Sequence, residues 1–367
     1  MNTRFGILGT GPIVGKYAQA CRLLPGLELV AIASRNGDRA RATAAKLGIP
    51  RADAGYDTLL ADPKVDAVIV ALHNGLHCEW TCRALAAGKH VLCEKPLACN
   101  AVQAAEMFAA AHANQRWLLE GFMYRFHPQM PEIFRRVRAG EIGRVLHVNA
   151  RRMSQGREAG NMRYRQDAGG GALLDIGCYC VSFAQAVTGR EPVGVNASAH
   201  FDPATGVDLT LTGTLEFAPD PSGGRASRRA EPVGESPPQR AEPAAQPELR
   251  SPAVITAQFC CSFESEPSYG AEIIGTAGRI LIPHPWMPPS WPTDFTVVRA
   301  GKSETIRMEP SGAPAHVLTS FALELVHFAE CIQQNRAPIF PPGDDAEQAS
   351  LGIARTLDAV IASARSR

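Results

Sequence analysis

A lysine at the end of a buried strand is the first residue of this sequence that could do chemistry. The stretch from Gly88 to Pro96 reads GKHVLCEKP, and its apolar core, Val91 to Cys93, lacks the polar alternation of a half-exposed strand, which is typical of a parallel sheet. Glu94 and Lys95 follow at the carboxyl edge, where open α/β sheets bind their ligands, and the proline restricts the backbone of the lysine. Lys95 is therefore a candidate catalytic group, although a solvated loop lysine has the same local pattern.

A carboxylate and a phenol form the second candidate motif. A helix is predicted from Ala172 to Val187, directly after three glycines, and it begins ALLDIGCY. Asp175 and Tyr179 are four residues apart, so they project from one helix face and suit a proton relay. The alternative is structural: Asp175 would cap a neighbouring element and Tyr179 would pack in the core.

A glycine turn at the N-terminus predicts a dinucleotide site. The turn follows an apolar strand, Phe5 to Leu8, and consists of Gly9, Thr10, Gly11, Pro12 and Ile13. Gly9 permits the tight turn, Gly11 lets backbone N–H groups approach a pyrophosphate, and Pro12 suits the first position of a helix. The third glycine of the G-x-G-x-x-G pattern is replaced by Val14.

The end of the second predicted strand, Leu27 to Ala33, favours NADP over NAD. NAD-preferring folds usually place an acidic residue here, whereas this chain has Ser34 and Arg35. A hydroxyl and a guanidinium suit a 2′-phosphate through hydrogen bonds and charge. The alternative is that Arg35 only begins an arginine-rich surface helix.

The third predicted strand, Val65 to Ala71, leads into a loop that contains two histidines. We expect the cofactor crevice to be lined by Leu72, His73, Asn74 and His77. His77 would also cap or orient the next helix, on which Cys78 and Cys82 lie one turn apart. A metal site is disfavoured, because zinc needs three or four converging ligands and a second shell of hydrogen bonds.

An aromatic and basic stretch, GFMYRFHPQ, follows the last predicted strand of the βα pattern, Trp117 to Glu120. Its residues Tyr124, Arg125 and Phe126 are candidates to line a substrate pocket. An equally good interpretation is that they form the packing seam between two domains.

Composition excludes several classes of protein. With 367 residues, 45% hydrophobic and 20% charged, the chain is long enough for two domains. A net charge of +1 gives no basic surface for nucleic acid. No bilayer-length apolar run and no secretory segment is evident, so we expect a soluble cytoplasmic protein without a membrane partner. The ten cysteines lack a C-x-x-C pair and are expected to be reduced and mostly buried.

The order of elements predicts an α/β dinucleotide-binding domain over residues 1–121, a doubly wound parallel sheet of the Rossmann type. An α+β domain with a largely antiparallel open sheet is predicted over 122–343, because strand patterns dominate there. Residues 219–252, with eight prolines and no aromatic residue, are expected to be a disordered insert between two adjacent strands. Residues 344–367 predict a helix that packs back on the first domain. One face of the open sheet needs cover, so a homo-oligomer is expected.

Four of these motifs, in this order and at roughly this spacing, resemble the Gfo/Idh/MocA family of glucose–fructose oxidoreductase, inositol dehydrogenase and rhizopine catabolism proteins. They are GTGPI, EKP, the loop NMRYRQDAGGGAL and the helix motif DIGCY. The resemblance spans nearly the whole chain apart from the insert, and GFMYRFHPQ followed by DIGCY is most similar to the dihydrodiol and xylose dehydrogenases. Departures are Val14, the insert, and His73 where a proline is common.

The resemblance implies site roles. Lys95, Asp175 and Tyr179 would surround the substrate hydroxyl beside the nicotinamide, with Glu94 and Arg163 near the cofactor. The expected activity is NADP-dependent hydride transfer between the nicotinamide and a secondary alcohol or carbonyl of a sugar, cyclic polyol or dihydrodiol, without a metal. Tyr179 or Lys95 would move the proton, and the ammonium of Lys95 is expected to lower the pKa of the Tyr179 phenol. Two alternatives stay open: an NADP-binding regulator without chemistry, and a redox-assisted NAD-dependent glycoside hydrolase.

Overall fold

The computed structural model describes residues 2–155, 160–219, 254–288, 293–308 and 319–366. The predicted insert, apart from residue 219, lies outside this part of the chain. The strands β9 (Asp208–Phe217) and β10 (Ile255–Ser262), which flank the insert, are antiparallel neighbours, as predicted.

The first domain is a parallel sheet of six strands in the order β3-β2-β1-β4-β5-β6. Its strands are β1 (Thr3–Leu8), β2 (Leu27–Ser34), β3 (Arg51–Ala54), β4 (Ala67–Val70), β5 (His90–Glu94) and β6 (Leu118–Gly121). Its helices are α1 (Val14–Leu23), α2 (Gly37–Leu47), α3 (Tyr56–Leu60), α4 (His77–Ala86) and α5 (Ala101–Ala113). The strand order reverses beside β1, so the loops after β1 and β4 face the crevice where such sheets bind ligands. The doubly wound parallel sheet is confirmed.

Two local expectations for this domain were wrong. The helix after the glycine turn begins at Val14 rather than at Pro12, which lies in the turn. The elements β3 and α3 were not predicted, because RADA offers no apolar run and its alternation extends over only four residues.

The second domain is a mixed, mostly antiparallel sheet of eight strands in the order β14-β13-β12-β11-β7-β10-β9-β8. Its remaining strands are β7 (Val145–Met153), β8 (Gly194–Phe201), β11 (Ser268–Gly275), β12 (Gly278–Ile282), β13 (Thr293–Arg299) and β14 (Lys302–Met308). The neighbours β7 and β10 are parallel, so the sheet is not wholly antiparallel. Helices α6 (Gln129–Arg138) and α7 (Cys178–Thr188) complete this region, and α6 was not predicted. The predicted sheet class is confirmed.

The final elements connect the two domains. They are α8 (Ser320–Gln333), the short strands β15 (Ile339–Phe340) and β16 (Asp344–Asp345), and α9 (Ala346–Arg365). On α8, the ring of Phe321 packs edge-on against Tyr17 of α1. The last helix contacts both domains: Asp358 accepts a hydrogen bond from the backbone of Ala101, while Thr356 bonds Gln185 of α7.

One helical stretch, Gln166–Thr188, is by length and composition alone long and apolar enough to cross a membrane, contrary to the sequence expectation. Most of this stretch, 78% of its most apolar window, is buried inside the protein. It forms the interior of the second domain, where α7 packs on the sheet. A buried core helix of a globular domain has this composition for the same reason that a membrane helix does.

Arg125 lies in the interior rather than in an open pocket. Its side chain is 1% exposed, and one terminal nitrogen donates to Asp344 at 2.6 Å. The guanidinium carbon lies 4.8 Å from the centre of the Phe340 ring. Asp344 also pairs with Arg138, whose side chain is 48% exposed. The Asp344 carboxylate therefore pairs with two cations, the buried Arg125 and the exposed Arg138.

We expect Arg125→Met to destabilise the fold by about 1–3 kcal/mol, because it removes the charge-assisted hydrogen bond of a buried guanidinium, while Asp344 keeps Arg138 as a partner. Arg138→Met removes an exposed partner of the same carboxylate and should cost less than about 1 kcal/mol. Urea unfolding followed by circular dichroism measures both. Equal losses in the two variants would show that burial does not set the strength of this contact.

Candidate active site

The glycine turn forms a cradle for an anion at the end of β1. Gly9 has φ +112°, and a Cβ there would clash with the backbone oxygen of Ala71. A Cβ on Gly11 would meet nothing within 4 Å, so the space above the turn is open. No side chain caps the start of α1, and anions bind at such helix N-termini, although the N–H groups of Val14 and Lys16 already bond backbone oxygens of the turn. Val14 is buried in the core, so the missing third glycine leaves this space clear.

The rim of the cradle at the end of β2 carries cations. Ser34 is mostly buried, and its hydroxyl accepts a hydrogen bond from the backbone of Asn36 at 3.2 Å. Arg35 is exposed and lies near the Tyr56 hydroxyl. Arg39, also exposed, lies near the same phenol. Sequence reasoning missed Arg39, although its position on the first turn of α2 was a signal.

The loop after β4 is fixed between the cradle and the second domain. The Leu72 side chain lies beside Gly9, and Asn74 donates a hydrogen bond to the backbone oxygen of Gly169 at 2.8 Å. Burial lowers the pKa of His73, whose ring lies near the Ala168 backbone and whose Nδ1 is buried without a hydrogen-bond partner. These contacts pack the loop after β4 against the loop that precedes the helix carrying Asp175 and Tyr179.

His77 ties two strand ends together. It is 1% exposed, with Nδ1 2.8 Å from the Pro96 oxygen and Nε2 3.1 Å from the Leu72 oxygen. Burial lowers its pKa to about 4. Both ring nitrogens face backbone carbonyls, and the neutral ring donates a hydrogen bond to one of the two. The predicted cofactor contact does not fit this placement, whereas orientation of the start of α4 does. Through His77 the glycine turn, Leu72 and the catalytic lysine segment form one connected unit.

Lys95, Asp175 and Tyr179 converge from the two domains. The Lys95 Nζ donates to the backbone oxygen of Asp175 at 2.6 Å and lies 3.6 Å from its carboxylate. The same ammonium lies 5.0 Å from the centre of the Tyr179 ring. Arg163 donates to the Asp175 carboxylate at 2.5 Å. The structure thus brings together the three predicted catalytic residues and the predicted loop arginine.

The helix that carries Asp175 begins with a π-helical turn, Leu173–Gly177, before α7. Such turns inside helices are frequent at functional sites. The predicted i,i+4 geometry of Asp175 and Tyr179 therefore holds only loosely, because the first turn is wider than an α-helix. Asp208, a buried carboxyl of β9, accepts a hydrogen bond from the Leu173 backbone at 2.6 Å and fixes the start of this turn.

The charges of the site are set by burial and by opposite charges. Burial alone would lower the pKa of Lys95, but the interactions with Tyr179 and Asp175 reverse this and raise it above its usual value. Burial would raise the pKa of Asp175, yet Lys95 and Arg163 keep it below its ordinary value. Burial raises the pKa of Tyr179, and the nearby cations offset only part of that rise. At neutral pH the site holds an ammonium, a carboxylate and a neutral phenol, which corrects the expectation that the lysine lowers the phenol below its usual pKa.

Two further residues surround the phenol, and sequence reasoning missed both. The guanidinium carbon of Arg152 lies 3.8 Å from the centre of the Tyr179 ring, and its Nη1 is buried without a hydrogen-bond partner. Trp286 packs against the same ring and donates to the backbone of Arg151 at 3.0 Å. Strand alternation was a usable signal for Arg152, since it shares a face of β7 with the buried Val148 and Ala150, whereas Trp286 lies in a proline-rich loop without a pattern.

The predicted substrate residues lie behind this layer. Tyr124 is fully buried, packs against the Tyr179 ring and bonds the Ser182 hydroxyl at 2.8 Å. Phe126 packs against His327 and Phe340. Arg125 pairs with Asp344, as described above. A direct substrate role for these three residues does not fit their positions, and the packing-seam alternative does.

Three buried carboxyl groups lie on the interior side of the segment that carries Lys95. Glu94 accepts a hydrogen bond from Tyr17 at 2.7 Å, so its carboxyl lies in the interior rather than in the cofactor cradle, contrary to the prediction. The Tyr17 oxygen also lies 3.4 Å from Glu324 of α8, and burial raises the pKa of that acid well above its usual value. Glu120, at the end of β6, accepts a hydrogen bond from the Leu97 backbone at 2.8 Å.

Comparison with known proteins gives the same assignment. The model of an oxidoreductase family with an NAD-binding Rossmann fold matches residues 3–122, and that of the GFO/IDH/MocA C-terminal domain matches residues 132–281. A dTDP-3,4-didehydro-2,6-dideoxy-alpha-D-glucose 3-reductase from Actinomadura kijaniata is 32% identical over 363 residues, which cover 99% of this chain and 96% of that protein. The chain belongs to the GFO/IDH/MocA oxidoreductase family. The family predicted from the motifs is thereby confirmed.

Two further similarities bear on the branch of the GFO/IDH/MocA family. D-xylose 1-dehydrogenase (NADP(+)) 2 from Haloferax volcanii is 41% identical over 216 residues, and this match covers 58% of the chain and just under two thirds, 65%, of that protein. The structure of a 3-ketoreductase from Actinomadura kijaniata, in complex with NADP and TDP-benzene, is 29% identical with a TM-score of 0.81, covering 99% of this chain and 98% of that one. A xylose dehydrogenase among the relatives agrees with the predicted branch.

We expect Lys95→Ala and Tyr179→Phe each to lower kcat by about 10²–10⁴-fold, the range of a lost acid–base group. The control is Tyr124→Phe, which removes a hydroxyl behind the site, bonded to Ser182, and should change kcat by only a few-fold. Steady-state kinetics on the best substrate of a sugar and polyol panel measure all three. Near wild-type turnover in both Lys95→Ala and Tyr179→Phe would remove the catalytic assignment.

Proposed function

We propose that this protein is an NADP-dependent oxidoreductase that transfers a hydride between the nicotinamide and a secondary alcohol or carbonyl of a sugar, cyclic polyol or dihydrodiol. The observation that carries the proposal is the convergence of Lys95, Asp175 and Tyr179 from two domains, on the ligand-binding edge of the Rossmann sheet. The named substrates of the relatives, xylose and a dTDP-linked keto sugar, support a sugar-like substrate.

The cofactor binds in this proposal across the mouth of the parallel sheet. Gly9, Thr10, Gly11, Pro12 and Ile13 would hold the pyrophosphate, and Ser34 with Arg35 would hold the 2′-phosphate. Leu72 to Asn74 would line the crevice beside the nicotinamide half, and Arg163 would border it from the second domain. When bound, NADP(H) supplies or accepts the hydride.

The proton that the substrate oxygen gains comes from a side chain of the protein. In the reductive direction the substrate oxygen gains a proton as its carbon gains the hydride, and both Lys95 and Tyr179 hold a proton at neutral pH. Asp175 keeps the ammonium charged and in place. These protonation states favour carbonyl reduction near pH 7, with Lys95 or Tyr179 as the donor, while alcohol oxidation first needs one of them to lose its proton.

The pH dependence follows from the signs of these shifts. Both pKa values lie above their ordinary values of 10.5 for lysine and 10.0 for tyrosine, so both donors stay protonated through the neutral range. We expect kcat for reduction to be flat from about pH 6 to 9, and kcat for oxidation to rise with pH over the same range. Initial rates in overlapping buffers test this. A reductive kcat that falls as pH rises through 7 would mean that the donor has a depressed pKa.

Cofactor choice is tested on the rim of the cradle. Arg35→Ala should lower kcat/KM for NADP about tenfold to a hundredfold, because a charge-assisted hydrogen bond contributes roughly 1.5–3 kcal/mol, and should change kcat/KM for NAD little. Arg41→Ala is the matched control, since Arg41 is an exposed arginine of α2 that pairs with Asp38. The assay is NADPH or NADH absorbance at 340 nm with a sugar and polyol panel.

Wild-type protein should turn over faster with NADP than with NAD. A higher kcat/KM with NAD would contradict the cofactor assignment. Release of reducing sugar without net NADPH formation would instead favour the glycoside hydrolase alternative, and binding of NADP without turnover on any member of the panel would favour the regulator.

The open face of the eight-stranded sheet supports the proposal that the protein is a homo-oligomer. This face carries a shallow depression of about 430 Å³, lined by outward residues of four adjacent strands, among them Asn149, Arg151, Thr212 and Gln258. A second copy of the chain would cover it. Light scattering of the purified protein reports whether the mass is that of one chain or a multiple. A soluble cytoplasmic location remains part of the same proposal.

A further inference from the structure

Two cysteines and a glutamate meet on the outer side of the first domain, away from the residues assigned above to catalysis. Cys78 and Cys82 lie one turn apart on α4, so their thiols share a helix face. Glu106 projects from the neighbouring α5. The Cys78 sulfur lies 3.6 Å from a carboxylate oxygen of Glu106, and the three ligand atoms all lie within 4.8 Å of one another. Three metal-ligating groups from two helices thus point at one spot.

These distances are close to those of a tetrahedral metal site. With Zn–S near 2.3 Å and Zn–O near 2.0 Å, adjacent ligand atoms lie about 3.5–3.8 Å apart. The sulfur–oxygen contact already has this length, and every other pair of the three ligand atoms lies within 4.8 Å. We propose that Cys78, Cys82 and Glu106 bind a thiophilic divalent cation such as Zn²⁺ or Cd²⁺.

The exposure of the three residues defines the rest of the coordination. Cys78 is buried, Cys82 is half-buried and Glu106 is exposed, so the site opens to solvent on the glutamate side. Water would take the fourth position, as it does where a protein supplies three ligands. Two thiolates select soft or borderline metals and discriminate against Mg²⁺ and Ca²⁺, which prefer oxygen ligands.

Binding must release protons. Burial raises the pKa of the Cys78 thiol to about 12, and burial also raises that of Cys82. Both thiols are therefore protonated at neutral pH, and the cation replaces one proton on each sulfur while the carboxylate binds without proton release. Each bound cation releases two protons, so the apparent affinity should fall about a hundredfold for each unit of decrease in pH in the range where both thiols are protonated.

The location gives the site a consequence for the fold. His77, which holds the Pro96 and Leu72 carbonyls, directly precedes Cys78, and α5 begins soon after the Lys95 segment. A cation that links α4 to α5 would fasten the two helices that flank this segment. The unfolded chain has no preformed site, so the cation binds the folded chain preferentially. Saturation with the cation should therefore raise Tm by a few degrees.

The experiment is a Cd²⁺ titration of the full-length, reduced and chelator-treated protein, followed by the thiolate-to-cadmium charge-transfer band in the ultraviolet. We expect one Cd²⁺ for each chain, loss of the band in Cys78→Ser and Cys82→Ser, and at least tenfold weaker binding in Glu106→Gln. Cys260→Ser is the matched control, because Cys260 is a half-buried thiol of the second domain, and it should bind like wild type. Titrations at two pH values test the release of two protons.

Tm of each metal-free variant shows whether it is folded, and Cys82→Ser should match wild type because the side chain is partly exposed. Three results would overturn the proposal: no charge-transfer band in wild type, a band of full intensity in Cys82→Ser, or equal affinity in Glu106→Gln and wild type.

Discussion

The ion pair between Lys95 and Asp175 joins the two domains at the candidate active site. The lysine comes from the end of a strand in the first domain, and the aspartate comes from the π-helical turn in the second. The ammonium donates a hydrogen bond to the backbone oxygen of Asp175 and lies 3.6 Å from its carboxylate. Since both side chains are mostly buried, at 13% and 16% exposed, each charge depends on the other. This contact therefore couples the protonation state of the site to the packing of the two domains.

Three buried polar side chains hold the segments on either side of that contact in place. His77 fixes the proline that follows the lysine, and Glu120 fixes the next residue along the chain. Asp208 caps the turn that carries the aspartate. Buried polar groups are costly unless they are hydrogen-bonded, so their placement around one strand end indicates selection for position rather than for stability alone.

Much of the architecture was predictable because hydrophobic period and turn residues decide it locally. The buried strands of the first domain and the alternating strands of the second were recognised from their patterns, and the four motifs gave the family. The short β3 was missed because four residues are too few to establish a periodic pattern. The π-helical turn was missed because its hydrogen bonding depends on the packing of β9 and β10 against it rather than on composition.

The convergence of the three candidate residues was predictable and their surroundings were not. Lys95, Asp175 and Tyr179 stand in local motifs, whereas Arg125 was assigned to substrate because its true partner, Asp344, lies 219 residues further along the chain. Arg152 and Trp286 reach the Tyr179 ring only through the pairing of distant strands and loops. The expected lowering of the tyrosine pKa also failed for a tertiary reason, since burial outweighs the nearby cations. Local sequence identifies reactive groups, and long-range packing sets their protonation.

The central claim is that the ammonium of one domain and the phenol of the other act on a single substrate oxygen beside the nicotinamide. A crystal structure of the protein with NADP and a bound sugar or polyol from the active panel tests it most directly. We predict that one substrate oxygen lies within hydrogen-bond distance of both Lys95 Nζ and Tyr179 Oη, with its carbon against the nicotinamide ring. A substrate oxygen that is bonded to neither group would contradict the account.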